Sequence, residues 1–139
     1  MDEARLDLIR VWMVKAVHDL DAARTLASDS KRLLDAAIFH CQQAAEKALK
    51  ALLTFHDTTF EKTHDCRLLA QMALPHHQDM IELIPLARLL TPYAVIFRYP
   101  FGPIFPDQDE FNEALKAAET IVSFVLKVLP PQAQPGSDA

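Results

Sequence analysis

Leu6, Ile9, Met13, Val17 and Leu20 recur at spacings of three and four residues. That period lines one face of an α-helix and would scatter over both faces of a strand. The spacing predicts a helix over about residues 3–28, with Trp12 off the stripe, at a core edge or at a contact with another chain. Ile38, Cys41, Ala45, Leu49 and Leu52 repeat the pattern and predict a second helix over about 31–55, flanked by Ala37, Ala44, Ala48 and Ala51. Alanine at those places is the strongest helix former and lets another backbone approach closely. Phe111, Leu115, Ala118, Val122, Val125 and Leu129 mark a closing helix, opened by Asp107 as cap with Glu110 three residues on. Ile121, Phe124 and Val128 add a second stripe, so the end of that helix should be buried on two sides. No segment alternates with the period of two that a strand requires.

The connecting stretches read as turns and short helices. Asp29 and Ser30 are suited to cap the second helix, and "HDTTFEKTHD", 56–65, reads as a polar loop. Thr63 is the expected cap of a helix through "DCRLLAQMAL", ended by Pro75. "HQDMIELIPLARLL" is helical in pattern, and Pro85 inside it predicts a kink or a break. Thr91-Pro92 should start a short helix, and "RYPFGPIFP", 98–106, must be loop. Pro130-Pro131 stops the closing helix, and "PQAQPGSDA" has the composition of a disordered tail. The expected fold class is all-α: an up-and-down helical bundle of four to five helices over residues 1–130, with a tail over 131–139.

Composition narrows the function. The chain has 139 residues, suited to one domain, and only two glycines, so no Gly-rich phosphate loop is present. The net charge of −5 is not the basic footprint of a protein that grips duplex DNA through its phosphates. Cys41 and Cys66 form no Cys-x-x-Cys pair, and Cys41 fits a small buried hydrophobe. No apolar run reaches about 18 residues and the N-terminus is charged, which points away from a membrane span or secretory signal and toward a reducing cytoplasm.

Gln43, Glu46, Lys47 and Lys50 follow offsets of 0, +3, +4 and +7 and so share one helix face. Gln amides can read a base edge and Lys can meet a phosphate; the plainer reading is a solvated, inert face. Gln42 is turned further toward the core, where it needs a partner on the backbone or a neighbouring helix. Arg98 follows the apolar run "AVIF" and precedes Tyr99. A cation at the mouth of a core calls for an acid, Asp19 or Glu46, or for a bound anion. His64, before Asp65 near an expected helix start, could contact a phosphate or merely cap and pack. His76 and His77 are adjacent, diverge by about 100° on a helix, and so point to no metal; no cofactor is expected.

"WMVKAVHDLDAARTL", "AAIFHCQQAAEKALKALL", "KTHDCRLLAQM" and "TPYAVIFRYP", in this order, resemble the HEPN domain family from about residue 8 to 128. The resemblance implies a helical bundle that usually dimerises. Family members are RNA-cleaving toxins, which carry Arg, four to six residues, then His, or proteins paired with a minimal nucleotidyltransferase in toxin–antitoxin or defence modules. The Arg–His motif is absent: Arg98 is followed at the relevant positions by Pro103, Ile104 and Phe105, and Arg32 and His40 are one residue too far apart. Where the family commonly has Asp after Arg-Tyr-Pro, this chain has Phe101. The expectation is therefore a non-enzymatic, homodimeric HEPN protein. It binds a nucleotide or an RNA end through Gln43, Glu46, Lys47, Lys50, His64, Arg98 and Tyr99, and partners a nucleotidyltransferase. The alternatives are a metal-independent endoribonuclease that pairs His64 with Arg98, and an inert helical interaction module.

Overall fold

The computed structural model describes residues 1–136. Five α-helices account for most of them: α1 Glu3–Ser28, α2 Leu34–Phe55, α3 Cys66–Ala73, α4 Met80–Leu90 and α5 Gln108–Val128, with short 3-10 turns at Thr91–Ala94 and Pro131–Ala133. Among the described residues there is no strand. The all-α bundle expected from the periodicity is the fold.

α1 and α2 form an antiparallel hairpin. Arg5, at the start of α1, donates to the carbonyl oxygens of Thr54 and Phe55 at the end of α2. α5 packs on α2 and touches α1, while α3 and α4 pair with each other and lean on α2 and α5 respectively. α2 is the central helix, and most of its residues from Ala37 to Leu53 are buried. Its alanines 44, 45, 48 and 51 are fully buried, so neighbouring elements approach its backbone closely. Ile9, Met13 and Leu20 supply the α1 side of the core; Ile121, Val122 and Val125 supply the α5 side.

Several local expectations need correction. α2 begins at Leu34 without a side-chain cap, because Asp29 is engaged in closing α1 and its carboxylate accepts from the Lys31 N–H. α3 is capped by Asp65, which accepts from the Leu68 N–H, and Thr63 instead accepts from the Asp65 N–H. Pro85 lies within an unbroken α4. It sits in the second turn on an exposed face, where it removes one backbone bond without ending the helix. Asp107 caps α5 as expected, accepting from the Glu110 N–H, but the Glu110 side chain turns to Tyr93, whose hydroxyl donates to it at 2.8 Å. A disordered tail from residue 131 does not hold through 136. Ala133 is buried, the Gln134 amide donates to the carbonyl oxygens of Leu126 and Leu129, and Arg10 donates to that of Gln132. Residues 137–139 of that expected tail lie outside the described residues.

Trp12 is half-buried against the core, with the Lys50 ammonium 5.6 Å from its ring centre. The two-sided apolarity of 121–128 is met within the chain: Ile121, Val122 and Val125 are buried, and Phe124 and Val128 pack on the core. The large apolar side chains left open to solvent lie elsewhere, notably Phe101 and Phe105 in the loop before α5.

Candidate functional site: a recess between helix α2 and the Arg98 loop

The site begins with a polar chain buried along α2. Glu46 is 3% exposed and Lys50 6%, so neither belongs to a solvated ridge. Lys50 Nζ lies 3.0 Å from Glu46 Oε2 and within 6 Å of the rings of Trp12 and Phe60. The other Glu46 oxygen accepts from Gln42 Nε2 at 3.1 Å and lies 2.8 Å from His64 Nδ1. Gln42, fully buried, also donates to the His64 carbonyl oxygen, which ties the loop before α3 onto α2. Gln43 donates to the Gln42 side-chain oxygen at 2.7 Å. Among the described residues every buried side-chain nitrogen and oxygen has a partner, as a low-dielectric interior requires.

This chain fixes His64 from behind. A carboxylate can only accept, so Nδ1 carries the hydrogen facing Glu46, and Nε2 is the atom left for exchange. The His64 side chain is otherwise well exposed, at 65%.

Arg98 stands opposite. Phe97 before it has φ of 72°, a left-handed conformation that costs a bulky residue strain. The twist sends the Phe97 ring into the core, stacked on Tyr93, and Arg98 outward. The guanidinium lies 4.3 Å from the Phe39 ring centre, a cation–π contact, and 5.8 Å from that of Tyr99. It donates to the Ala94 carbonyl oxygen. Among the described residues no carboxylate pairs with it, so the expected partners Asp19 and Glu46 are both excluded. Glu46 is held by Lys50 and His64. Asp19 receives Lys47 at 2.6 Å and faces His40 Nδ1 at 2.8 Å.

Phe39, Gln43, His64, Ala94 and Arg98 line a recess of about 250 Å³. A second recess of about 280 Å³ shares Phe39 and Arg98 and adds Asp35, Ala36 and Phe97. Of the seven residues expected at a binding site, Gln43, His64 and Arg98 come together. Glu46 and Lys50 lie behind His64 as supports. Lys47 is turned to α1, and Tyr99 lies against the guanidinium outside the recess. Sequence reasoning missed Phe39, which is four residues before Gln43 and so belongs to the same helix face.

A helical bundle whose central helix carries a buried glutamine–glutamate–lysine chain toward an open histidine and arginine defines a class of all-α protein with a polar recess on that helix. The HEPN domain family model matches residues 9–129, and the chain belongs to that family. Two solved structures share the fold. TT1696 from Thermus thermophilus is 32% identical, with a TM-score of 0.74 over 87% of this chain and 98% of that one. ST0689, described as an archaeal HEPN homologue, is 24% identical, with a TM-score of 0.67 over 84% and 93%. A comparison with curated proteins found no match. No helix among the described residues is long and apolar enough to cross a membrane.

Proposed function

We propose that this HEPN protein binds the phosphate of a nucleotide or of a nucleic-acid end in the Gln43–His64–Arg98 recess, without catalysing a reaction. It would act in the cytoplasm as a homodimer beside a minimal nucleotidyltransferase, in a toxin–antitoxin or defence module. The observation that carries the reading is Arg98: an outward guanidinium with no carboxylate partner among the described residues, braced on Phe39 at 4.3 Å. A phosphate supplies the missing countercharge, with bidentate geometry that suits arginine. Gln43 and the aromatic faces of Phe39 and Tyr99 offer contacts for a base. The exposed Phe101 and Phe105 are the surface on which a second copy would sit. Two buried free thiols suit a reducing compartment.

Calorimetric titration with AMP and ATP tests the site. Arg98→Ala should weaken binding tenfold to a hundredfold, the loss of a charge-assisted hydrogen bond of roughly 1.5–3 kcal/mol, and should leave the fold intact. Absence of nucleotide binding by the wild type would return the protein to an inert interaction module. Co-purification with the product of an adjacent nucleotidyltransferase gene tests the partner, and an isolated gene counts against it.

One observation favours a second reading. Glu46 at 2.8 Å from His64 Nδ1 is the arrangement that orients an imidazole as a general base, and Arg98 beside it could stabilise a phosphorane. Labelled RNA incubated with the protein in EDTA separates the two readings. Cleavage that disappears in both His64→Ala and Arg98→Ala would establish the endoribonuclease.

A further inference from the structure

Three imidazoles meet at the opposite end of α2 from the recess. His56 closes α2, and His76 and His77 lie in the turn after α3. From Phe39 to His56 the helix rises about 25 Å at 1.5 Å per residue, so the cluster is remote from Arg98. His56 Nε2 and His77 Nε2 face each other at 2.7 Å. The His76 ring lies flat on that of His56, centroids 4.2 Å apart, and its own Nε2 is 3.0 Å from Thr58 Oγ1. Two ring nitrogens at such a separation must share a hydrogen or a cation.

We infer that His56 and His77 form a two-imidazole site for a borderline transition-metal cation of the zinc or nickel type. Imidazole nitrogen is the preferred neutral donor for these ions. With bonds of about 2.0–2.1 Å in tetrahedral geometry, the two nitrogens would stand roughly 3.3 Å apart. They need to part by only about half an ångström, which small ring rotations supply. His76 stacks on His56 and limits its rotation, the supporting part that a metal-binding ring usually requires.

The surroundings agree. Burial, then His76, His77 and Arg5, pull His56 down to about 4, and burial, then His76, pulls His77 down as well. The same burial disfavours the imidazolium form, which has no lone pair to give a metal. Arg5 opposes a cation here, but its guanidinium is engaged by the Thr54 and Phe55 carbonyl oxygens and by Asp57, and Asp79 adds negative charge near His77. Among the described residues no group of three or more ligating side chains converges, so water completes the shell and the metal is exchangeable, unlike a structural zinc. Cys41 and Cys66 are fully buried and do not compete for it.

Tag-free protein, stripped with EDTA and titrated calorimetrically with zinc chloride near neutral pH, should take up one zinc per chain. His56→Gln and His77→Gln should each weaken uptake by about tenfold or more. His64→Gln should leave it unchanged. Zinc should also raise the melting temperature of the wild type and of His64→Gln but not of His77→Gln. Circular dichroism of the metal-free variants confirms that they fold, and nickel chloride should reproduce the pattern. No uptake below about 1 mM zinc, or uptake indifferent to His56→Gln and His77→Gln, overturns the assignment.

Discussion

Glu46 is the residue on which the site's rigidity turns. It holds Lys50 with one oxygen and His64 and Gln42 with the other, almost without solvent. Removing one member of a buried ion pair leaves the other charge unpaired, at a cost of about 3–5 kcal/mol. Glu46→Ala should therefore lower stability by that amount, read from urea denaturation midpoints. Glu46→Ala combined with Lys50→Met should recover most of it, because a well-packed apolar pair can replace a buried ionic one. A loss in the double variant equal to the sum of the Glu46→Ala and Lys50→Met losses would show that the pair is not coupled. At this scale helical spacing correctly placed Gln43, Glu46, Lys47 and Lys50 on one side of α2. Their fates then differed. The His64 loop covers Glu46, Trp12 and Phe60 cover Lys50, and Asp19 of α1 draws Lys47 aside. A helix wheel gives the direction of a side chain but not what stands in that direction.

At the scale of elements, helix ends carry testable energy. α2 ends in a left-handed turn at Asp57, φ 54°, with the Thr58 N–H bonded to the Leu53 carbonyl and the Asp57 N–H to that of Thr54. That pattern is a Schellman motif, in which glycine is the favoured residue because it has no Cβ to clash. Asp57→Gly should therefore stabilise the protein by about 0.5–1 kcal/mol, since the pairing of Asp57 with Arg5 at 3.9 Å is exposed and worth little. A fall in melting temperature would refute this. Asp107→Ala should cost about 1 kcal/mol, because it removes the acceptor for the Glu110 N–H at the start of α5. The bounds of α1 and the cap of α5 were legible from spacing and residue type. The start of α2 and the cap of α3 were not. Each turned on which of several adjacent polar residues found a nearby N–H, and that depends on how the chain enters the turn.

For the whole molecule, burial sets the response to alkaline pH. Burial pushes the Cys41 thiol up to about 12, and Cys66 is raised by the same cause. Burial, then the bond to Glu110, raises Tyr93. These groups stay protonated in the folded chain and ionise more readily in the unfolded one, so above about pH 9 the unfolded state binds fewer protons and stability falls as pH rises. The contribution is whole below about pH 9 and is lost progressively toward 12. Melting temperatures measured from about pH 8 to 11 should decline, and replacing Cys41 with Ser or Ala should flatten the slope. Neither thiol should react with iodoacetamide in the native protein near neutral pH. The proposed homodimer predicts about twice the 15.6 kDa chain mass by light scattering, with Phe101→Ser/Phe105→Ser returning the monomer. The amino-acid sequence by itself determined the all-α bundle and its long helices, because three-and-four periodicity and alanine content act locally and add up over many residues. Only the tertiary structure decided which polar side chains are buried supports and which open onto the recess. It alone brought His56 against His77, because those outcomes depend on contacts between segments far apart in the chain.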